Sequence, residues 1–233
     1  MHPLAIPPEI PARVAARCGT EHPFEDLVPA RTAFVVIDMQ VGFIDPVIGH
    51  APCPMAEHIV PAVNRLAAAL RDAGGGVFWV QNVHDASCDA EWSVMQRMAT
   101  PAARAHRVAS MTEGSAGHAL WPTLDVRPED RRVTKRRFSA FIQGSSDIAE
   151  RLRAEGFDTV LIGGTVTNVC CESSARDAMM LNFRTVMVAD ANAALSDQEH
   201  NASLAAFWQI FGDVMTVDQV IARLQAARAK EAA

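Results

Sequence analysis

From Thr32 onward, short apolar segments alternate with longer amphipathic segments, and this alternation constrains the fold more than any other feature. The segment AFVVID is β-branched, aromatic and apolar at successive positions, which is typical of a central strand that is buried on both faces. Residues 55–72 then place apolar side chains at helical spacing, and three glycines end that helix before VFWVQNV. Strand, helix and strand in this order predict a parallel sheet.

The remaining chain continues the alternation. We predict, in chain order, a helix at about 91–98, a strand at RRVTK, a helix near 146–155, a strand at TVLIGG, a helix from about Cys170, a strand at TVMVAD and a helix from Ser196 to Phe211. The predicted fold is therefore α/β, a three-layer α/β/α sandwich with a mostly parallel central sheet. Residues 1–30 are rich in proline and lack a clear period. We predict that they form an N-terminal arm, over the domain or a neighbouring subunit, and that residues 31–233 form one domain.

Composition excludes several classes of function. The chain has 233 residues, of which 49% are hydrophobic, and its net charge is −6, so it can bury a full core and offers no extended basic surface for nucleic acid. Its five cysteines are an odd number without Cys-x-x-Cys spacing, which favours a reducing compartment. No segment resembles a signal peptide or a membrane span. We expect a cytoplasmic protein that does not bind membranes.

Three residues with chemically useful side chains follow three predicted strands. Asp38 ends the first strand, Lys135 ends RRVTK, and Cys170 follows TVLIGG across a short turn at the start of a helix. In a parallel sheet all three lie at the same edge, where α/β proteins bind ligands. Each residue alone has an ordinary interpretation: a helix cap or metal ligand for the aspartate, a solvated charge for the lysine, and a small core residue for the cysteine.

Together, the three residues make a coherent nucleophilic site. A thiol needs a base to take its proton, a cation to hold the thiolate and donors to receive the oxyanion. A helix start also favours a thiolate, so we expect a lowered pKa for Cys170. Gly163 and Gly164 permit close backbone approach, and the amides of Val166 and Cys170 are candidates for an oxyanion hole.

The segments VVIDMQVGF, VTKRRFSAF and GGTVTNVCCESSARDAM occur in this order. This pattern resembles the isochorismatase-like cysteine hydrolases, which include nicotinamidases, N-carbamoylsarcosine amidohydrolases, ureidoacrylate amidohydrolases and biuret hydrolases. The resemblance runs from about Arg31 to the C-terminus and implies an isochorismatase-like, Rossmann-like fold. It also implies that Asp38 is the general base, Lys135 the orienting cation and Cys170 the nucleophile. Cys171 stands where the family usually has valine, so we interpret it as apolar filling rather than a second nucleophile.

The resemblance implies two further features, and the chain departs from one family motif, the metal element of nicotinamidases. It implies a cis peptide bond between Thr165 and Val166. It also implies C–N rather than C–O cleavage, because family members that act on isochorismate lack the cysteine that this chain has. Nicotinamidases carry an Asp-x-His metal element after the second strand, whereas this chain has His84 ahead of Asp85. We therefore expect no metal and no cofactor, and interpret His84 either as structural or as a substrate contact.

The predicted function is a cysteine-dependent amidohydrolase that cleaves a C–N bond of a small amide, carbamoyl or ureido compound through an acyl-thioester. The alternatives are an enol-ether hydrolase, a non-catalytic ligand-binding relative and a thiol redox role for the adjacent cysteines. The expected partners are the small-molecule substrate and further copies of the chain, in a dimer or tetramer. Residues near the three positions are candidates for substrate binding; they are Gln40, Phe43, Trp92, Phe138, Phe141, Gln143 and Asn168.

Overall fold

One sheet of six strands organises the molecule. The computed structural model describes residues 1–85 and 87–231. The strands are β1 (Thr32–Ile37), β2 (Gly76–Asn82), β3 (Arg131–Lys135), β4 (Thr159–Thr165), β5 (Arg184–Ala193) and β6 (Asp213–Met215). They lie in the order β3-β2-β1-β4-β5-β6, and each neighbouring pair is parallel. The predicted parallel sheet is confirmed.

Helices cover both faces of this sheet. They are α1 (Glu9–Cys18), α2 (Val41–Ile44), α3 (Met55–His58), α4 (Val60–Asp72), α5 (Cys88–Glu91), α6 (Ser93–Arg97), α7 (Pro101–Met111), α8 (Ile148–Ala154), α9 (Glu172–Met180), α10 (Asp197–Ile210) and α11 (Val217–Glu231). A 3₁₀ turn covers Pro29–Arg31, and a π-helical turn covers Thr167–Cys171. None of the described helices is long and apolar enough to cross a membrane.

Successive residues of β1 contribute to two separate buried clusters. Ala33, Val35 and Ile37 pack on one face with apolar residues of α1, α8, α9 and α10, whereas Phe34 and Val36 pack on the other face with residues of α3, α4 and α11. This division follows from the two-residue repeat of a strand. It explains why the strand is apolar at every position from Ala33 to Ile37, and it confirms the three-layer α/β/α architecture.

Several elements differ from the predicted ones. The helix predicted over 55–72 is interrupted at Ile59, and α4 restarts with Pro61 in its first turn, where the missing N–H of proline is tolerated. The helix predicted at about 91–98 is broken at Trp92, whose backbone has φ −138° and ψ 53°. Helices α7 and α11 and the short strand β6 were not predicted.

The N-terminal segment contains a helix that we did not predict. Helix α1 packs against α10, and the buried His2 ring places Nδ1 2.6 Å from an Asp197 carboxylate oxygen. The division into an arm of residues 1–30 and a domain of residues 31–233 stays a prediction. The last two positions of that predicted domain, Ala232 and Ala233, lie outside the described residues.

The strand order creates a crevice between β1 and β4. Strand β2 lies on one side of β1 and β4 lies on the other. The connection after β1 and the connection after β4 therefore leave the sheet on opposite faces, which opens a crevice between them. The two strands approach closely there, because a Cβ atom at Gly164 would clash with the backbone of Ile37. Asp38 follows β1 and Cys170 follows β4 by one turn. The switch point therefore brings them to one place.

Replacing Gly164 with alanine should be costly. Its φ of 122° is a conformation that side-chain-bearing residues rarely adopt, and the added methyl group would also displace β1. We expect Gly164→Ala to lower the free energy of unfolding by at least about 2 kcal/mol, measured by urea denaturation. Gly19→Ala is the control, because its φ is 80° but nothing lies within 4 Å of the added Cβ; it should cost about 1 kcal/mol. An equal or larger loss for Gly19→Ala would contradict this account.

Candidate active site

Asp38 lies at the bottom of the crevice. It directly follows β1 and has φ 53°, a left-handed conformation that is uncommon for a residue with a side chain and that often occurs at functional sites. Its backbone N–H donates to the Val80 carbonyl oxygen at 2.9 Å, which ties the turn to β2. The Asp38 side chain is fully buried. A carboxylate in this position requires a buried partner.

Lys135 is that partner. It ends β3 at the edge of the sheet, and its side chain spans the width of β2 to place Nζ 2.8 Å from Oδ2 of Asp38. Nζ also donates to the Arg137 carbonyl oxygen at 2.9 Å. Neither charged side chain is exposed to solvent. The ordinary interpretation of a strand-end lysine as a solvated charge does not apply to Lys135, because the two residues form a buried ion pair.

Cys170 lies above this pair on the turn that follows β4. The peptide bond between Thr165 and Val166 is cis, as the resemblance implied. The Val166 carbonyl oxygen accepts hydrogen bonds from the amides of Val169 and Cys171 at 3.0 and 3.3 Å, so the turn is closed on itself. The Cys170 side chain is 5% exposed and interacts with both Asp38 and Lys135. The three predicted residues are thus brought together.

The acidity of Cys170 differs from our prediction. We expected the helix start and Lys135 to lower the thiol pKa, but burial raises the pKa of Cys170 to about 12. Lys135 lowers this pKa and the carboxylate of Asp38 raises it, and neither offsets the loss of solvent around a thiolate. Cys170 is therefore a thiol at neutral pH, and it needs a base at the moment of reaction.

The electrostatics of the ion pair suit Asp38 to that task. Burial raises the pKa of Asp38 above its usual value, against the attraction of Lys135 and the hydrogen bond with Cys170. A carboxylate with a raised pKa accepts protons more readily than an exposed one. Burial would lower the pKa of Lys135, but attraction to the Asp38 carboxylate outweighs it and raises the pKa. Lys135 is therefore a permanent cation beside the thiol.

A cavity of about 240 Å³ opens above Cys170. Three of the predicted substrate-binding residues, Phe43, Trp92 and Phe138, line it. Trp92 and Phe138 pack edge to face with ring centroids 4.9 Å apart, so they form one wall. The residues proposed for the oxyanion hole, Val166 and Cys170, also line the cavity; donation of their amides to an oxyanion stays a prediction.

The other four predicted substrate residues lie elsewhere. Gln40 is fully buried and joins segments of backbone: Nε2 donates to the carbonyl oxygens of Asn82 and His118, and Oε1 accepts from the Asn82 amide. The remaining three are the core residue Phe141, Gln143 in a neighbouring, more open groove, and Asn168, whose side chain is half-buried outside the lining.

Sequence reasoning missed much of the cavity wall. The additional lining residues are His50, Ala51, Asn82, Met95, Ala103, Arg107 and Val169, and His84 was assigned only as one of two alternatives. Most come from the loop after α2 and from α6 and α7. Their packing over the sheet edge depends on long-range contacts, so no local periodicity indicated that they face Cys170.

His84 lines the cavity and is also held by the protein. Its Nε2 lies 3.0 Å from Nε2 of Gln96, so the ring is fixed from the side of α6. Within residues 1–85 and 87–231, no group of three or more His, Cys, Asp or Glu side chains is arranged to hold a metal ion. That the protein needs no metal stays a prediction.

Comparison with known proteins identifies the family. A model described as the isochorismatase domain matches residues 32–219. The chain belongs to the isochorismatase family. The family predicted from the motifs, and hydrolase as the enzyme class, are therefore confirmed.

Individual relatives agree with this assignment. The ureidoacrylate amidohydrolase of Methylobacterium radiotolerans is 30% identical over 213 residues, which cover 82% of this chain and 78% of that protein. The crystal structure of a cysteine hydrolase from Pseudomonas syringae pv. phaseolicola has a TM-score of 0.78 and 27% identity, and the match covers 87% of this chain and 96% of that one. N-carbamoylsarcosine amidase from Thermoplasma acidophilum has a TM-score of 0.65 and 26% identity, with 81% and 97% covered.

The buried ion pair yields a stability prediction. Lys135→Met leaves the Asp38 carboxylate without its cation, so we expect a loss of about 3–5 kcal/mol in the free energy of unfolding. Asp38→Asn leaves a buried lysine and should also destabilise the protein. The double variant removes both charges and should lose much less than the sum of the single losses. Urea denaturation at pH 7 measures all three, and additive losses would contradict a direct pairing of these side chains.

Proposed function

We propose that the protein is a cysteine-dependent amidohydrolase that cleaves a C–N bond of a small amide, carbamoyl or ureido compound. The observation that carries this proposal is the placement of Cys170 between the cavity and the buried pair of Asp38 and Lys135. One face of the thiol is available to a substrate, while its proton is held beside a buried base. This arrangement meets the requirements of an activated nucleophile.

In the proposed first half-reaction, Asp38 takes the thiol proton as Sγ of Cys170 forms a bond to the carbonyl carbon. The carbonyl oxygen gains the electron pair, and the amides of Val166 and Cys170 are the proposed donors to it. Collapse of this intermediate breaks the C–N bond. The leaving nitrogen takes the proton from Asp38 and departs as ammonia or an amine, which leaves an acyl-thioester on Cys170.

In the proposed second half-reaction, Asp38 takes a proton from water as the water oxygen attacks the thioester. Collapse breaks the C–S bond, releases the acid and returns the proton to Cys170. Asp38 thus acts as base and then acid in each half, which requires it to alternate between two protonation states. Lys135 lowers the free energy required for these proton transfers, because its positive charge stabilises first the Asp38 carboxylate and then the transient Cys170 thiolate.

The cavity supports a small substrate. Its volume of about 240 Å³ is below the usual range of about 300–1,000 Å³ for small-molecule pockets. Aromatic walls beside the nucleophile suit a planar amide or ureide. Two relatives are named for ureidoacrylate and N-carbamoylsarcosine, which favours a carbamoyl or ureido substrate. The predicted oligomeric state and cytoplasmic location stay predictions.

The adjacent cysteines allow a matched test. Ammonia release from a panel of small amides and ureides should be lost in Cys170→Ser, by at least about 10³-fold. Cys171→Ser is the control, because Cys171 is fully buried in the core cluster and does not line the cavity. This variant should keep activity within about tenfold after correction for the folded fraction. Mass spectrometry should find the acyl adduct on Cys170. Turnover that survives in Cys170→Ser, or hydrolysis of an added enol ether without an adduct on Cys170, would overturn the proposal.

The pH dependence of kcat/KM tests the role of Asp38. Protonated Asp38 cannot accept the thiol proton, so activity should fall about tenfold per pH unit below its pKa, which burial places above the usual 3.8. Above that pKa the activity should be level through pH 9. If free thiolate were the attacking species, activity would instead rise about tenfold per unit toward the thiol pKa of about 12. A profile that rises steadily from pH 7 to 10 would exclude Asp38 as the base.

A further inference from the structure

The cavity contains a charge that the proposed chemistry does not use. Arg107 projects from α7 and lines the cavity with Cys170. Its Nη1 atom is shielded from solvent and has no hydrogen-bond partner among the described residues. A guanidinium group stays protonated in proteins, so the site cannot remove this charge by losing a proton. The unused donor is therefore a fixed cationic feature of the wall.

The carboxylates whose side chains the structure describes do not account for this cation. Asp38 is paired with Lys135, and Asp85 is paired with Arg136 at 3.1 Å. The described cavity lining contains no aspartate or glutamate. A shielded donor without an acceptor is destabilising, and more so when it is charged. A ligand in the cavity that supplied the missing acceptor would therefore be bound favourably.

His50 adds a neutral group to the same wall. Burial and the charge of Arg107 lower the pKa of His50 to about 4, so the imidazole is uncharged at neutral pH. Its Nδ1 is also shielded and without a partner among the described side chains and backbone. Phe43 packs against the ring, with centroids 5.0 Å apart, and helps to fix its orientation. Arg107 and His50 therefore add a cation and a neutral polar group to the cavity wall.

We propose that Arg107 binds a carboxylate group of the substrate, so that the enzyme acts on small amides or ureides that also carry an acid. Arg107 is then a specificity-determining residue, and His50 contacts the same end of the substrate. A guanidinium can form two parallel hydrogen bonds to a carboxylate, which orients the molecule as well as attracting it. This inference rests on the proposed function, because it places the scissile carbonyl at Cys170.

Matched pairs of substrates test the inference. The acids are malonamate, succinamate, glutaramate and 3-ureidopropionate, and each is compared with the neutral compound in which an amide replaces the acid. We expect wild type to prefer at least one acid by tenfold or more in kcat/KM. In Arg107→Met the value for that acid should fall about 10- to 100-fold, whereas the value for its neutral partner should change less than threefold. Arg107→Lys should restore part of the preference.

Arg104→Met is the matched control. Arg104 lies on the same helix but does not line the cavity, so its replacement should leave the ratio of acid to neutral substrate unchanged. Equal losses for acid and neutral substrates in Arg107→Met would overturn the inference, as would the absence of a preference in wild type. Either result would leave the amidohydrolase proposal standing if the neutral compounds are hydrolysed.

A binding measurement separates the two proposals. Calorimetry with succinamate as the probe compares Cys170→Ala with the double variant that also carries Arg107→Met. Binding that weakens at least tenfold in the double variant supports the anion site even if no compound is turned over, in which case only the amidohydrolase proposal fails. Binding that is absent, or equal in both variants, together with no acid preference in turnover, would overturn the role of Arg107.

Discussion

The buried ion pair between Asp38 and Lys135 is the interaction on which the site depends. Two opposite charges with no solvent exposure are stable only when each compensates the other, because an unpaired buried charge costs several kcal/mol. The pair joins the end of β1 to the end of β3, so it also fixes the sheet edge beneath the cavity. Burial of the neighbouring Cys170 raises the pKa of its thiol to about 12.

The electrostatics of the site determine the resting protonation state of Cys170. A cysteine at a helix start beside a lysine is commonly expected to be a thiolate at rest. Here the loss of solvent outweighs both effects, so the resting group is a thiol, and its activation depends on proton transfer to Asp38. Lys135 therefore serves both stability and the proposed chemistry. It compensates the buried carboxylate of Asp38, and it also stabilises the negative charge on the sulfur of Cys170 during the proposed reaction.

The features that could be predicted are those with local causes. Strand β1 was recognisable because it is apolar from Ala33 to Ile37, and Asp38, Lys135 and Cys170 were found because each ends or follows a strand at the carboxyl edge. Local signals were insufficient where packing overrides them. The helix is broken at Trp92, whose ring packs against Phe138. Gln40 is a polar residue close to the nucleophile in sequence reasoning, but its side chain binds the backbone of Asn82 and His118 instead.

By itself, the sequence determined the layered parallel fold and the edge at which chemistry is possible, because hydrophobic period and strand direction are encoded within short segments. Only the tertiary structure decided the shape and charge of the cavity. Arg107 reaches it from α7 and His50 from the loop after α2. The positions of both are set by contacts between distant segments, and no local pattern specifies such contacts. The same reason explains the thiol pKa of Cys170, since desolvation depends on every residue that surrounds a group and not on its neighbours in the chain.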